Sequence, residues 1–345
     1  MKILVQGSLF ALAVSAIALV STPQGSARQV GARRIPVAVP SAGPAQRAPR
    51  VGVAVPALPP EAFPSPGTLL VNQSFAYSKT PPNAFGWIDQ ACLTAGKTVV
   101  SGSVPPCGDL APQDKNGSGA LENTNASTFA EGWVAYEKPL STALGLQVAF
   151  TIYSFDGDSA DGQLLYFTDA SGGPPTTIGR FGGNLGYTSG YGLGGLDYAY
   201  LGIGFDESGQ FSQNAPNQGL NGGNENRVPE TITARGSVST GYYYLGGAEN
   251  AKGQHVSLPF DWDQPNSQKR PSTGPTVYVT LSPTGYVTAS VDIHDGAGFV
   301  TYYAQSIVGV AGQPAVPANV YIGVTGATGA GVNRHQIEDF YIWQG

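Results

Sequence analysis

Cysteine is nearly absent: Cys92 and Cys107 are the only two in 345 residues. Their spacing fits neither a C-x-x-C redox pair nor a zinc ligand set. Histidine is as scarce. His255, His294 and His335 are scattered, with no metal-ligand spacing between them. Charged residues make up only 12% of the chain, and no G-x-S-x-G nucleophile motif occurs. No stretch reaches the roughly 18 consecutive apolar residues of a membrane-spanning helix. Helical periodicity is almost missing, and no repeat of fixed period occurs, which argues against a propeller or a solenoid.

What is abundant is glycine, with 48 residues, together with 27 prolines and a hydrophobic fraction of 41%. That balance suits one large extracellular β domain with flanking segments better than a cytosolic enzyme. The flanks lie at the start. Residues 1–27 read as a secretory signal, with Lys2, an apolar run from Leu9 to Val20, and small residues at Gly25-Ser26-Ala27. Residues 28–66 hold nine prolines from Pro36 to Pro66 and five arginines before the first acid, Glu61. Such a segment buries too little apolar surface to fold and is expected to be a disordered spacer. The domain is then residues 67–345. After Glu61 there are 11 basic and 22 acidic residues, a balance of −11, which disfavours nucleic acid as a partner. In an exported protein the isolated pair Cys92 and Cys107 reads as one disulfide.

From Leu69 onward the chain alternates short β-rich runs with turn signals. Pro283-Thr284-Gly285 and Asp295-Gly296 mark two hairpins among the last runs. A dozen or more strands without helices predict two packed antiparallel sheets. The most informative stretch is 150–211. It contains an apolar strand ending at Phe155, the acidic turn DGDSADG, the strand QLLYFT, the loop RFGGNLGY and the strand YAYLGIGF, which ends on Asp206. The three strands are expected to be neighbours, with their loops forming one rim.

The order GSGALENT, GWVAYEKPL, ADGQLLYFTDA, GGNLGY, YLGIGFDESGQFS and NVYIGVTGATGAGVNRHQIEDFYIW resembles that of the L-type lectins. These are the legume-lectin or concanavalin A-like jelly-roll sandwiches, here in a bacterial secreted form. The resemblance runs over about residues 69–345. It implies a non-catalytic, secreted carbohydrate-binding protein whose partner is a glycan or polysaccharide. It also implies that Asp161 accepts sugar hydroxyls, that the Gly183 N–H donates to the sugar, and that Asp206 and Gln210 stand on the neighbouring loop. Glycine at 183 lets a ligand approach closely. The family's metal loop is only half kept. Asp206 matches its shared carboxylate, but Gly204 stands where a metal-binding Glu is usual, and Gln210 matches the loop Asn loosely. At most one calcium, at Asp206, is implied. The family's stacking aromatic falls on Ser208, with Phe211 near enough to cover a sugar. The variable loop 326–333 lines the same rim.

Each feature has a plainer reading. An Asp-Gly pair such as Asp161-Gly162 commonly caps a turn. Asp156, Asp158 and Asp161 look like a calcium loop but miss its spacing by one residue. Glycosidases share this sandwich and need two carboxylates roughly 5 Å or more apart. The E-x-D-x-E pattern of β-glucanases is absent, and Asp261, Asp263, Glu338 and Asp339 are the remaining candidates. A structural or adhesive surface component is the other alternative, and it fits the spacer and the richness in glycine and tyrosine.

Overall fold

The computed structural model describes residues 67–264 and 267–345. The expected signal segment and spacer therefore lie outside the described residues. Sixteen strands occur among those described: β1 (Thr68–Gln73), β2 (Phe85–Asp89), β3 (Cys92–Leu93), β4 (Leu121–Thr124), β5 (Glu131–Ser141), β6 (Leu146–Phe155), β7 (Gly162–Asp169) and β8 (Ala199–Asp206). The remainder are β9 (Thr231–Arg235), β10 (Tyr244–Gly247), β11 (Asp263–Gln264), β12 (Thr276–Leu281), β13 (Tyr286–Asp292), β14 (Val300–Ser306), β15 (Asn319–Ala327) and β16 (Arg334–Gln344). Only short 3-10 turns interrupt them.

They form two sheets. The first runs β14-β13-β12-β6-β16-β4-β3, with β1 also on β16 and β11 also on β6. The second runs β10-β9-β8-β7-β15-β5-β2. All named pairings are antiparallel except β11 with β6. The two expected hairpins join β12 to β13 and β13 to β14, and Gly285 and Gly296 at their turns have positive φ. The expectation of an all-β, two-sheet antiparallel sandwich is met. One expectation is corrected. β7 and β8 are neighbours, but β6 belongs to the opposite sheet, so the acidic turn 156–161 is where the chain crosses from one sheet to the other.

The core between the sheets follows strand alternation. Val277, Val279 and Leu281 of β12 and Val287, Ala289 and Val291 of β13 point inward from the first sheet. Leu165 and Phe167 of β7 and Leu201, Ile203 and Phe205 of β8 meet them from the second. Phe150 and Phe205 touch edge to face across the gap, 5.8 Å between centroids. On β16 the pairing shifts between Glu338 and Tyr341, where Asp339 has φ +54°, and this irregularity keeps both Ile337 and Phe340 facing the core.

The second sheet is buried on its outer face as well. Leu164 and Tyr166, the alternate residues of β7, pack with Leu185, Tyr187, Leu196, Phe211, Leu220 and Tyr242 in a separate cluster. The loops after β7 and β8 thus form a third layer over the sheet. That is why QLLYF reads as a continuous apolar run rather than an alternating one: both faces of the strand are covered.

Cys92 and Cys107 are bonded across a separation of 15 residues, with Cα atoms 4.8 Å apart. They pack with Ala111 in a small cluster beside the two-residue strand β3. Replacing both cysteines by alanine should lower stability by about 3 kcal/mol, the chain-entropy value for a loop of this length. Chemical denaturation of the purified variant against the unreduced parent checks this.

Candidate functional site

Four loops converge at one end of β7, β8 and β15: residues 156–161, 180–190, 207–224 and 328–333. Asp161, with a cis peptide before it, sits at their centre, 5% exposed. Its backbone holds two of the loops together. The Asp161 N–H donates to Ala327 O at 3.0 Å, and its carbonyl accepts from the N–H groups of Glu207 (3.1 Å) and Ser208 (3.2 Å). The side chain is half used. Ser208 Oγ donates to Oδ1 at 3.1 Å, whereas Oδ2 is buried and has no hydrogen-bond partner. The walls around Oδ2 include the bare backbone of Gly182 and Gly329. A Cβ on Gly329 would come within 2.6 Å of it, and one on Gly182 within 3.7 Å. Burial, only partly offset by Ser208 and Arg227, raises the Asp161 carboxyl to a pKa of about 6.

Gly183 and Gln210 also meet here, but against one another. The Gln210 side chain lies over Gly183 so closely that a Cβ at 183 would fall 2.4 Å from its Cγ. Gln210 is held there by Arg227, whose Nη2 donates to Oε1 at 2.8 Å, and by a bond from its Nε2 to Gln218. Asn184 ties the two loops again by donating to Gln218 O at 2.7 Å. Glycine at 183 is therefore required by a protein side chain, whatever else approaches it.

Asp206 lies deeper, with no exposed surface. Both of its oxygens accept backbone N–H groups from its own loop: Gly209 to Oδ1 at 2.8 Å and Ser212 to Oδ2 at 3.1 Å. Burial first, then the nearby Asp161, pushes its carboxyl well above the usual range. Gly204 faces the Phe211 ring, which a Cβ there would meet at 2.6 Å. Phe211, expected to cover a sugar, is fully buried in the outer cluster and cannot do so. An exposed ring at this rim is Phe129, whose N–H donates to Gly329 O at 2.8 Å and whose ring meets Phe181 edge to face at 5.3 Å.

These surroundings do not fit a calcium ion at Asp206. N–H donors already face both carboxylate oxygens, Arg227 and Arg235 supply positive charge nearby, and Phe211 fills the space above Gly204. No group of three or more His, Cys, Asp or Glu residues is placed to hold a metal among the described residues. The other acidic residues of the crossing turn hold loops. Asp158 Oδ1 accepts the Val332 N–H at 2.6 Å, and Asp156 pairs with Arg334 at 3.0 Å.

Two further networks stabilise the rim from below. His335 is fully buried, with Nδ1 2.6 Å from Thr124 Oγ1 and Nε2 3.1 Å from Glu207 Oε1. Burial alone would raise the Glu207 carboxyl, but His335 and hydrogen bonds from His335, Ser154 and Asn333 outweigh it and hold it below the usual range. Arg235, at the end of β9, is buried, and its guanidinium donates to five backbone carbonyls: Phe211 (2.7 Å), Asn221 (2.8 Å), Gln213 (2.9 Å), Tyr242 (3.2 Å) and Gly222 (3.4 Å). Among the acids considered for hydrolysis, Glu338 pairs with Arg270 at 3.2 Å on β16, and Asp263 accepts from Ser159 Oγ at 2.6 Å on β11.

Sequence reasoning placed Asp161 and Gly183 at one rim with Asp206 and Gln210 on the neighbouring loop; the structure sets Asp206 deeper than the other three. That reasoning missed Ser208 as the partner of Asp161, Gly329 as the wall over Oδ2, Phe129 as an exposed ring, and Arg235. Only Arg235 carries a signal in sequence, as a lone charge closing the run TITA.

No known family model matches the chain, and no curated protein does. Solved structures do resemble it. The exoplasmic/lumenal domain of VIP36 in its Ca2+/Man2-bound form is 13% identical, over 79% of this chain and 87% of that one, with a TM-score of 0.48. Peanut lectin with a nine-residue peptide is 18% identical, over 79% and 96%, with a TM-score of 0.46. Lectin UEA-II complexed with galactose is 16% identical, over 77% and 96%, with a TM-score of 0.44. All three likenesses are at low sequence identity.

Proposed function

We propose that this is an exported, non-catalytic glycan-binding protein, and that Asp161 is the centre of its saccharide site. One observation carries the reading: Asp161 Oδ2 is a buried acceptor with no donor, walled by glycine backbone. Leaving such an acceptor unpaired costs about 1–3 kcal/mol, so a ligand hydroxyl that supplies the donor recovers that energy on binding. A carboxylate accepts hydroxyls strongly because its bonds are charge-assisted. Ser208, which already donates to Oδ1, sets the orientation of the carboxylate.

Access to Oδ2 runs past residues 329–331. Thr328 and Val332 anchor this segment on either side. The Thr328 N–H donates to Ala130 O, and its carbonyl accepts from Gly182; the Val332 N–H donates to Asp158. An outward movement of residues 329–331 together with Phe129, whose N–H holds Gly329 O, uncovers the carboxylate and keeps that ring at its mouth to pack against the apolar face of a sugar. Gln210, lying on Gly183, forms the opposite wall and is a polar contact for the ligand.

Asp161→Asn keeps the shape and removes the charge, so glycan affinity should fall by about 1.5–3 kcal/mol. A glycan array with the parent protein, followed by titration of the best ligand into both proteins, checks this. Affinity of the parent is expected between about millimolar and tens of micromolar, as for an open site with few hydrogen bonds. A parent that binds no glycan would leave Asp161 as a turn-capping residue.

The raised pKa of Asp161 gives a second outcome. The folded carboxyl keeps its proton up to about pH 6, whereas the unfolded one loses it near 3.8. Its contribution to stability is therefore complete below pH 3.8 and is lost as pH rises through 6. Asp161→Asn, which mimics the protonated acid, should be more stable than the parent at pH 8 by up to roughly 3 kcal/mol, and equal to it near pH 3. Glycan affinity of the parent should move the other way, weakening as pH falls below 6. Paired melting curves and titrations across that range test both signs.

A further inference from the structure

The loop 207–224 forms one wall of the proposed site, and its order comes from inside the protein. Phe211, Gln213, Asn221 and Gly222 turn their carbonyls inward onto the Arg235 guanidinium, and Tyr242 adds a fifth from the next segment. A guanidinium has five N–H donors in a rigid fork, and here five carbonyls receive them. The same loop folds its N–H groups of Gly209 and Ser212 onto the Asp206 carboxylate. A fixed cation thus gathers the carbonyls of the loop, while the two oxygens of Asp206 gather its amides. The Phe211 and Tyr244 rings close over the guanidinium at 5.3 and 6.0 Å.

Resting on the glycan-binding reading, we propose that Arg235 is a positioning residue which does for this loop what a bound divalent cation would otherwise do, so that ligand binding is independent of calcium. A cation that coordinates carbonyl oxygens and one that donates hydrogen bonds to them solve the same problem: both hold several carbonyls at one point and satisfy them away from water. Arg235 is a covalent part of β9, so it cannot be lost by dilution or chelation. The Asp206 carboxylate, whose oxygens face N–H donors, is left with the task of an anchor.

Three measurements on the full-length protein test this. Melting temperature and glycan affinity of the parent should be the same in EDTA and in excess calcium, and terbium(III) luminescence should show no saturable site. Arg235→Ala should weaken glycan binding at least roughly tenfold and speed trypsin cleavage at Arg227, just beyond the loop. Free guanidinium chloride at low concentration should restore binding to the variant, while sodium chloride or calcium chloride of equal ionic strength should not. Saturable terbium binding that Asp206→Asn removes would overturn the proposal, as would a parent whose affinity is lost in EDTA and restored by calcium. If Arg235→Ala fails to fold, the parent measurements still decide the question. If the parent binds no glycan at all, the melting and terbium results still report on the loop, so the two failures remain distinguishable.

Discussion

A buried cation, the Arg235 guanidinium, ties together the loops at the end of the sandwich where four of them converge. Burial lowers the Arg235 pKa to about 9, yet leaves it charged at neutral pH, with Asp206 acting in the opposite direction. Such a charge is tolerable inside a protein only when its donors are all met. Meeting them requires the chain from 211 to 222 to bend around the end of β9, and that bend carries Ser208 and Gln210 to the positions from which they touch Asp161 and Gly183. The wall of the site follows from hydrogen-bond bookkeeping around one side chain.

Beneath the rim lies a concentration of carboxylates that electrostatics alone would disperse. Asp161, Asp206, Glu207 and Glu230 are all buried. Burial first, then the proximity of Glu207, raises Glu230 to about 9, despite a hydrogen bond from the Trp262 N–H. Glu207 goes the other way because His335, Ser154 and Asn333 all favour its charged form. At Asp161 the proton that would relieve its burial also removes the charge that makes it a strong acceptor.

The outer apolar layer explains how such a site stays rigid without helices. Loops of this length normally lie in water and move. Here Leu185, Tyr187, Leu196, Phe211 and Leu220 are all turned onto the outer face of the second sheet. Tyr187 touches Phe211 and Tyr242 edge to face, at 6.4 and 5.6 Å, which locks the loops after β7 and β8 to one another as well as to the sheet. Phe211 also takes the space over Gly204, so the packing that stiffens the loop leaves no room for a metal ligand at that position.

Strand content, the antiparallel sandwich and the two late hairpins were readable from alternation and turn residues, because both signals are local. The strands that escaped notice, β2, β3, β4 and β11, are short. The motif order also led to Asp161, Gly183 and Gln210, since their spacing along the chain is what a motif records. It did not reveal which sheet β6 joins, because an apolar strand reads the same in either. Nor did it show that Phe211 faces inward while Phe129 faces out: a ring in a loop carries no periodicity from which its direction follows. Tertiary packing alone decided that Gly183 lies under Gln210, that Asp161 Oδ2 lacks a donor, and that Arg235 meets five carbonyls. Each of these depends on residues from loops far apart in sequence coming within a few ångströms, and local sequence has no term for such a meeting.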